Sequence, residues 1–179
     1  MVAIAEAAQA RDYPADIVGV ISNKPKALGI ERAKALDLDT VVVDHKAYED
    51  RQAFEEALHA QLTAMDAELV CCAGFMRILT PWFVSHWQGK LINIHPSLLP
   101  KYKGLNTHQR AIDAGDEIAG CSVHWVTEEL DGGDVILQDS IPIVSGDTAE
   151  ALAEKLLPIE LELYPKSLSK VAATLIKAS

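Results

Sequence analysis

Two hydrophobic rhythms share the first half of this chain. Short runs that are apolar on both faces read as buried strands: Ile17–Ser22 (IVGVIS), Thr40–Val43, Glu68–Phe75 (ELVCCAGF) and Leu91–Ile94. Between them lie stretches with helical character. Val2–Arg11 is alanine-rich, and Ala27–Leu36 places Leu28, Ala33 and Leu36 among charges. Tyr48–Met65 carries Phe54, Leu58 and Leu62 at four-residue spacing, the mark of an amphipathic helix. Pro81 suits the first turn of a short helix running to about Trp87. Strands alternating with helices predict a parallel sheet with helices on its faces.

The rhythm changes after Thr107. His108–Ala114 predicts a short helix, and Gly120–Thr127 and Val135–Val144 predict two strands. Asp131-Gly132-Gly133 between them predicts a tight turn, and so an antiparallel hairpin. Asp147 or Thr148 is placed to cap a last helix, with Glu150 near its positive end. Pro158 is expected to kink that helix and Pro165 to interrupt it. No repeat or linker divides the chain, so residues 1–179 are expected to form a single domain.

Composition narrows the function classes. A net charge of -10 disfavours a protein that tracks phosphate backbones, so no nucleic-acid partner is expected. No apolar run approaches the roughly 18 residues of a membrane span, and no basic segment leads an apolar core at the N-terminus. The three cysteines, Cys71, Cys72 and Cys121, are odd in number and include an adjacent pair, which is no disulfide framework. A cytoplasmic protein with reduced thiols is expected. Oligomeric state has no sequence signal here.

Candidate chemistry gathers in the stretch Gly89–Gly104 (GKLINIHPSLLPKYKG). Asn93 is an amide inside an apolar strand, and His95 stands at the strand's carboxyl end, where ligands bind in open α/β sheets. Asn93 could simply bond a neighbouring backbone, or it could donate to an oxygen gaining negative charge. His95 could be a bonded loop residue, or it could move protons near neutrality. Asp131 is ordinary hairpin chemistry by itself. Beside an imidazole, a carboxylate favours the charged ring and orients it. Together the three supply the acid, orienter and oxyanion donor of acyl transfer. His124 and His108 are weaker candidates. No HExxH, paired-cysteine, GxGxxG or GxxxxGK[ST] motif occurs, so no metal and no dinucleotide is expected.

Four segments carry a resemblance to a known family. They are Ala73-Gly74-Phe75-Met76-Arg77-Ile78-Leu79, Asn93-Ile94-His95-Pro96-Ser97-Leu98-Leu99-Pro100, Ser122-Val123-His124 and Leu130-Asp131-Gly132-Gly133. With them the chain resembles the phosphoribosylglycinamide formyltransferases, within the wider group that uses 10-formyltetrahydrofolate. The run Lys101–His108 (KYKGLNTH) points to the glycinamide ribonucleotide branch.

The resemblance implies an α/β, Rossmann-like fold: a mostly parallel central sheet with helices on both faces and a C-terminal antiparallel hairpin. It implies formyl transfer from 10-formyltetrahydrofolate to glycinamide ribonucleotide, in purine biosynthesis, by direct attack of the amine. His95 would be the general acid/base, Asn93 would stabilise the oxyanion, and Asp131 would raise the pKa of His95 and hold a proton-relaying water. Folate contacts would come from Arg51, from Met76, Arg77, Ile78 and Leu79, from Asn93, and from Thr127, Glu128, Glu129, Leu130 and Asp131. Glu160 would meet the acceptor amine, turned toward it by the break at Pro158. No metal is implied.

The resemblance also has a gap. The family opens with a strand and a Gly/Ser-rich phosphate loop, whereas this sequence starts inside the following helix. A shortened chain, with two strand edges left open, is therefore expected. Phosphate-binding residues have no counterpart to name. Competing readings are a formyltetrahydrofolate deformylase, a methionyl-tRNA or sugar-nucleotide formyltransferase, and a non-catalytic folate-binding relic.

Overall fold

A computed structural model describes residues 1–178. The chain folds as two compact units that meet in sequence between Leu91 and Ile92. The architecture is α/β, as the alternation predicts.

The first unit contains α1 (Val2–Ala8), β1 (Val20–Ser22), α2 (Leu28–Lys34), β2 (Thr40–Val42), α3 (Arg51–Ala64), β3 (Val70–Cys72) and α4 (Pro81–His86). β1 and β2 pair in parallel, Val20 opposite Thr40, with α2 as the crossover. Each of these strands is shorter than its apolar run, and flanking residues such as Ile17 and Leu69 are half-buried beside it. The helices bury one stripe each: Ile30 and Ala33 on α2, Phe54 on α3, Phe83 and Val84 on α4. Asp50 caps α3 by accepting the Ala53 N–H at 2.8 Å. A cavity of about 770 Å³ opens in this unit, lined among others by Met1, Ile4 and Ala5, by Val20 and Ile21 of β1, and by Val70 of β3.

The second unit contains most of β4 (Leu91–His95), then α5 (Thr107–Asp113), β5 (Ile118–Trp125), β6 (Val135–Pro142) and α6 (Ala149–Ala178). β4, β5 and β6 form an antiparallel ladder that sets Asn93 opposite His124 and His95 opposite Ser122. Leu152 and Leu156 of α6 pack on Ala119, joined by Ile112, Ile141 and Ile143.

Two sequence expectations are corrected here. β5 and β6 are antiparallel, but residues 126–134 join them in place of a tight Asp-Gly turn. Gly133 lies so close under Trp125 that a Cβ there would fall 1.9 Å from the Trp125 carbonyl oxygen, so the loop folds back on its own strand. Pro165 does not interrupt α6, which is helical from Ala149 to Ala178 with both prolines inside. An internal proline costs about 3 kcal/mol or more. The buried stripe of Leu152, Leu156, Leu163, Tyr164, Leu168 and Val171 offsets that, since burying each leucine is worth about 1.5–3 kcal/mol. Thr148 is the residue that caps α6, accepting the Ala151 N–H, while Asp147 binds Lys155 and the Val144 N–H.

Candidate active site

The second unit assembles the polar cluster. Side chains two apart on a strand share a face, so Asn93 and His95 project together, and the antiparallel register brings His124 opposite Asn93. His95 is 5% exposed, in a site largely closed to water. The loop 126–134 then delivers Asp131, held at φ 49° in the left-handed region. Its Oδ2 lies 3.3 Å from Nδ1 of His95, and its Oδ1 lies 3.6 Å from Nε2 of His124. The backbone N–H of Gly104 donates to Oδ2 at 2.9 Å, which orients the carboxylate.

The two histidines play different parts. Nδ1–H of His124 donates to the Trp125 carbonyl at 2.8 Å. Burial pulls its pKa below the ordinary value, which favours the neutral ring, and Nε2, 3.6 Å from Asp131, has no hydrogen-bond partner. His95 differs: Nε2–H donates to the Tyr102 carbonyl at 3.0 Å while Nδ1 faces Asp131. Both nitrogens meet acceptors, an arrangement that a doubly protonated ring satisfies at each end.

The segment 96–104 that supplies Tyr102 and Gly104 is fixed from below. Ser122, fully buried, donates to the Ser97 carbonyl at 2.6 Å and accepts the Leu99 N–H at 3.0 Å. Gln138 of β6 donates to both Leu99 O and Ser122 Oγ at 2.8 Å. Asp116 binds Lys101 and the Tyr102 hydroxyl. His108 lines a 280 Å³ cavity beneath this segment, and burial lowers its pKa. Ser122, Tyr102 and Gly104 lie in stretches the sequence singles out, but their bonding roles there, and that of Gln138, carry no mark in the sequence. Polar residues in an alternating strand look alike until the register is known.

The remaining candidates divide between the units. In the first, Arg51 begins α3 and is exposed, and Met76 and Ile78 are 75% and 60% exposed on the segment between β3 and α4. The Arg77 guanidinium sits 5.7 Å from the Phe54 ring centroid. In the second, Glu128, Glu129 and Leu130 are exposed, Lys103 pairs with Glu129 at 2.7 Å, and Thr127 donates to Glu129 O.

Glu160 is half-buried on α6, and desolvation raises its pKa. Burial first, and then the charges of Glu160 and Asp139, push the Cys121 thiol up to about 12. A thiol so raised is a poor nucleophile. Among the described residues no group of three His, Cys, Asp or Glu could hold a metal ion. No described helix is long and apolar enough to cross a membrane.

The family model described as formyl transferase matches residues 1–168. Phosphoribosylglycinamide formyltransferase of Escherichia coli is 43% identical over 167 residues, which are 93% of this chain and 79% of that protein. The trifunctional purine biosynthetic protein adenosine-3 of Chironomus tentans is 46% identical over 162 residues, covering 90% of this chain but only 12% of its own length. The chain thus spans a small part of the trifunctional relatives it matches. Among solved structures, phosphoribosylglycinamide formyltransferase from Brucella melitensis superposes with a TM-score of 0.92 at 46% identity, covering 97% of this chain and 89% of the other. Glycinamide ribonucleotide transformylase 1 from Symbiobacterium toebii gives 0.93 at 37%, covering 97% and 82%.

Proposed function

The chain belongs to the formyl transferase family, and we propose that it moves the formyl group of 10-formyltetrahydrofolate onto the amine of glycinamide ribonucleotide, as a cytoplasmic enzyme of purine biosynthesis. The observation that carries the reading is the Asp131–His95 contact at the end of β4, with Asn93 two residues away on the same face.

The chemistry follows from those groups. The amine lone pair attacks the formyl carbon, a C–N bond forms, and the carbonyl π pair moves to oxygen. Asn93 stabilises that oxyanion, with His95 beside it as the acid/base. Collapse of the tetrahedral intermediate re-forms the carbonyl and breaks the bond to the folate nitrogen. The proton lost by the attacking amine is the one the departing nitrogen gains, and His95 with a water on Asp131 relays it. The exposed apolar Met76 and Ile78, with Arg51, Arg77 and Leu79, contact the folate. So do Thr127, Glu128, Glu129, Leu130 and Asp131. Glu160, half-buried on α6, meets the acceptor amine. No residue of this chain is assigned to the phosphate.

The test supplies 10-formyltetrahydrofolate with and without glycinamide ribonucleotide and follows formylated product and free formate separately. Product that depends on the acceptor is expected. Formate released at the same rate without acceptor would make the protein a hydrolase, and folate binding with neither product would make it a binding protein.

A further inference from the structure

The first unit buries a carboxylate that the chemistry above does not use. Glu55, on α3, is 1% exposed. Among the described residues its hydrogen-bond partner is Thr80, the residue just ahead of α4. The Thr80 N–H donates to Oε1 at 3.0 Å and Oε2 at 3.2 Å, and the Thr80 hydroxyl makes a short bond to Oε2. Burying a carboxylate is costly unless its bonds are good, and an apolar side chain would fill the same space more cheaply. Its neighbour Phe54, also 1% exposed, carries the Arg77 guanidinium over its ring.

Two adjacent residues of one helix thus grip one short segment at Arg77 and Thr80. Between and beside these anchors Met76 and Ile78 remain exposed, large apolar side chains that a free-standing loop would turn inward. We propose that Glu55 is a positioning residue for folate: by holding Thr80 it sets where the backbone of residues 76–79 stands and keeps Met76 and Ile78 presented. This rests on the reading of that segment as a folate contact. The bland alternative is that Glu55 only joins α3 to α4, since the Thr80 hydroxyl also accepts the Phe83 N–H at 3.4 Å.

Glu55→Ala, Glu55→Gln and Thr80→Ala separate the two. If Glu55 positions the segment, Glu55→Ala raises the KM for 10-formyltetrahydrofolate about tenfold, the worth of one hydrogen bond to a charged group. The KM for glycinamide ribonucleotide stays as it was. Glu55→Gln, whose amide oxygen still accepts from Thr80 N–H, recovers most of the loss. Trypsin should also cut faster after Arg77 in Glu55→Ala. Both KM values unchanged, or both moving together with the fraction of folded protein, would overturn the proposal. Should Glu55→Ala fail to fold, Thr80→Ala, which loses the hydroxyl's bonds to Glu55 and to the Phe83 N–H but keeps the backbone donor, must show the same split in KM. Folate binding read by the fluorescence of Trp82 and Trp87 on and beside α4 tells which idea has failed. A parent protein that binds no folate sinks the reading of the segment, whereas a parent and a Glu55→Ala variant that bind equally well sink the role of Glu55.

Discussion

Asp131 holds Oδ2 3.3 Å from Nδ1 of His95 while the same oxygen accepts the Gly104 N–H at 2.9 Å. One carboxylate oxygen is therefore fixed by the backbone and offered to the imidazole. Asp131→Asn keeps an acceptor for Gly104 and removes the charge. We expect kcat to fall about 100-fold or more, the scale of general acid–base catalysis, with the thermal midpoint little changed. Steady-state kinetics beside a melting curve checks this; a variant retaining most of its kcat would remove Asp131 from the mechanism.

His95→Ala should cost about 100- to 10,000-fold in kcat. The loss should exceed that of His124→Ala, because burial favours the neutral ring of His124, which reaches Asp131 only at 3.6 Å. Equal losses from the two variants would mean that the charge is shared across Asp131 in a way the geometry does not support.

Ser122→Ala removes one hydroxyl that serves Ser97 O, Leu99 N–H and the Gln138 amide. At a fully buried position the orphaned groups should cost about 2–3 kcal/mol, measurable by urea unfolding. Because the clamp supports the segment bearing Tyr102 O, kcat should fall as well, even at temperatures where the variant is fully folded.

Glu160 gives a pH dependence with a defined sign. Burial raises its folded pKa above the ordinary 4.5, so the folded state holds the proton more tightly than the unfolded chain does. Below about pH 4.5 both states are protonated and there is no penalty. As pH climbs through the folded pKa, the carboxylate ionises in a half-buried place and stability is lost. Glu160→Gln should therefore melt with the parent in acid and above it near neutrality, while losing affinity for the acceptor. A melting difference that does not vary with pH would contradict this.

Gly133→Ala tests the fold of the loop that carries Asp131. With the added Cβ 1.9 Å from a backbone oxygen, the loop must leave Trp125. We expect destabilisation of more than about 2 kcal/mol and loss of activity together. Activity at the parent level would show that Asp131 reaches His95 by another path.

Much of this was legible along the chain. Periodicity placed most helices and strands to within a few residues, and the strand reading of Leu91–Ile94 set Asn93 within it and His95 at its end, since those are local consequences of backbone geometry. The Asn-x-His-Pro segment and the later Asp-Gly-Gly named three members of the cluster. What the sequence could not decide depends on partners distant along the chain. Which residue of β5 stands opposite Asn93 is a matter of register, and a shift by one would have hidden His124. Whether Asp131 ends a tight turn or reaches His95 depended on Gly133 seating against Trp125. Pro165 looked like a stop because its missing N–H is a local fact, while the buried stripe that keeps α6 helical is a tertiary one. Glu55 is the extreme case: in the sequence it is one more charge on an amphipathic helix, and only packing reveals a carboxylate closed from water and bonded to Thr80.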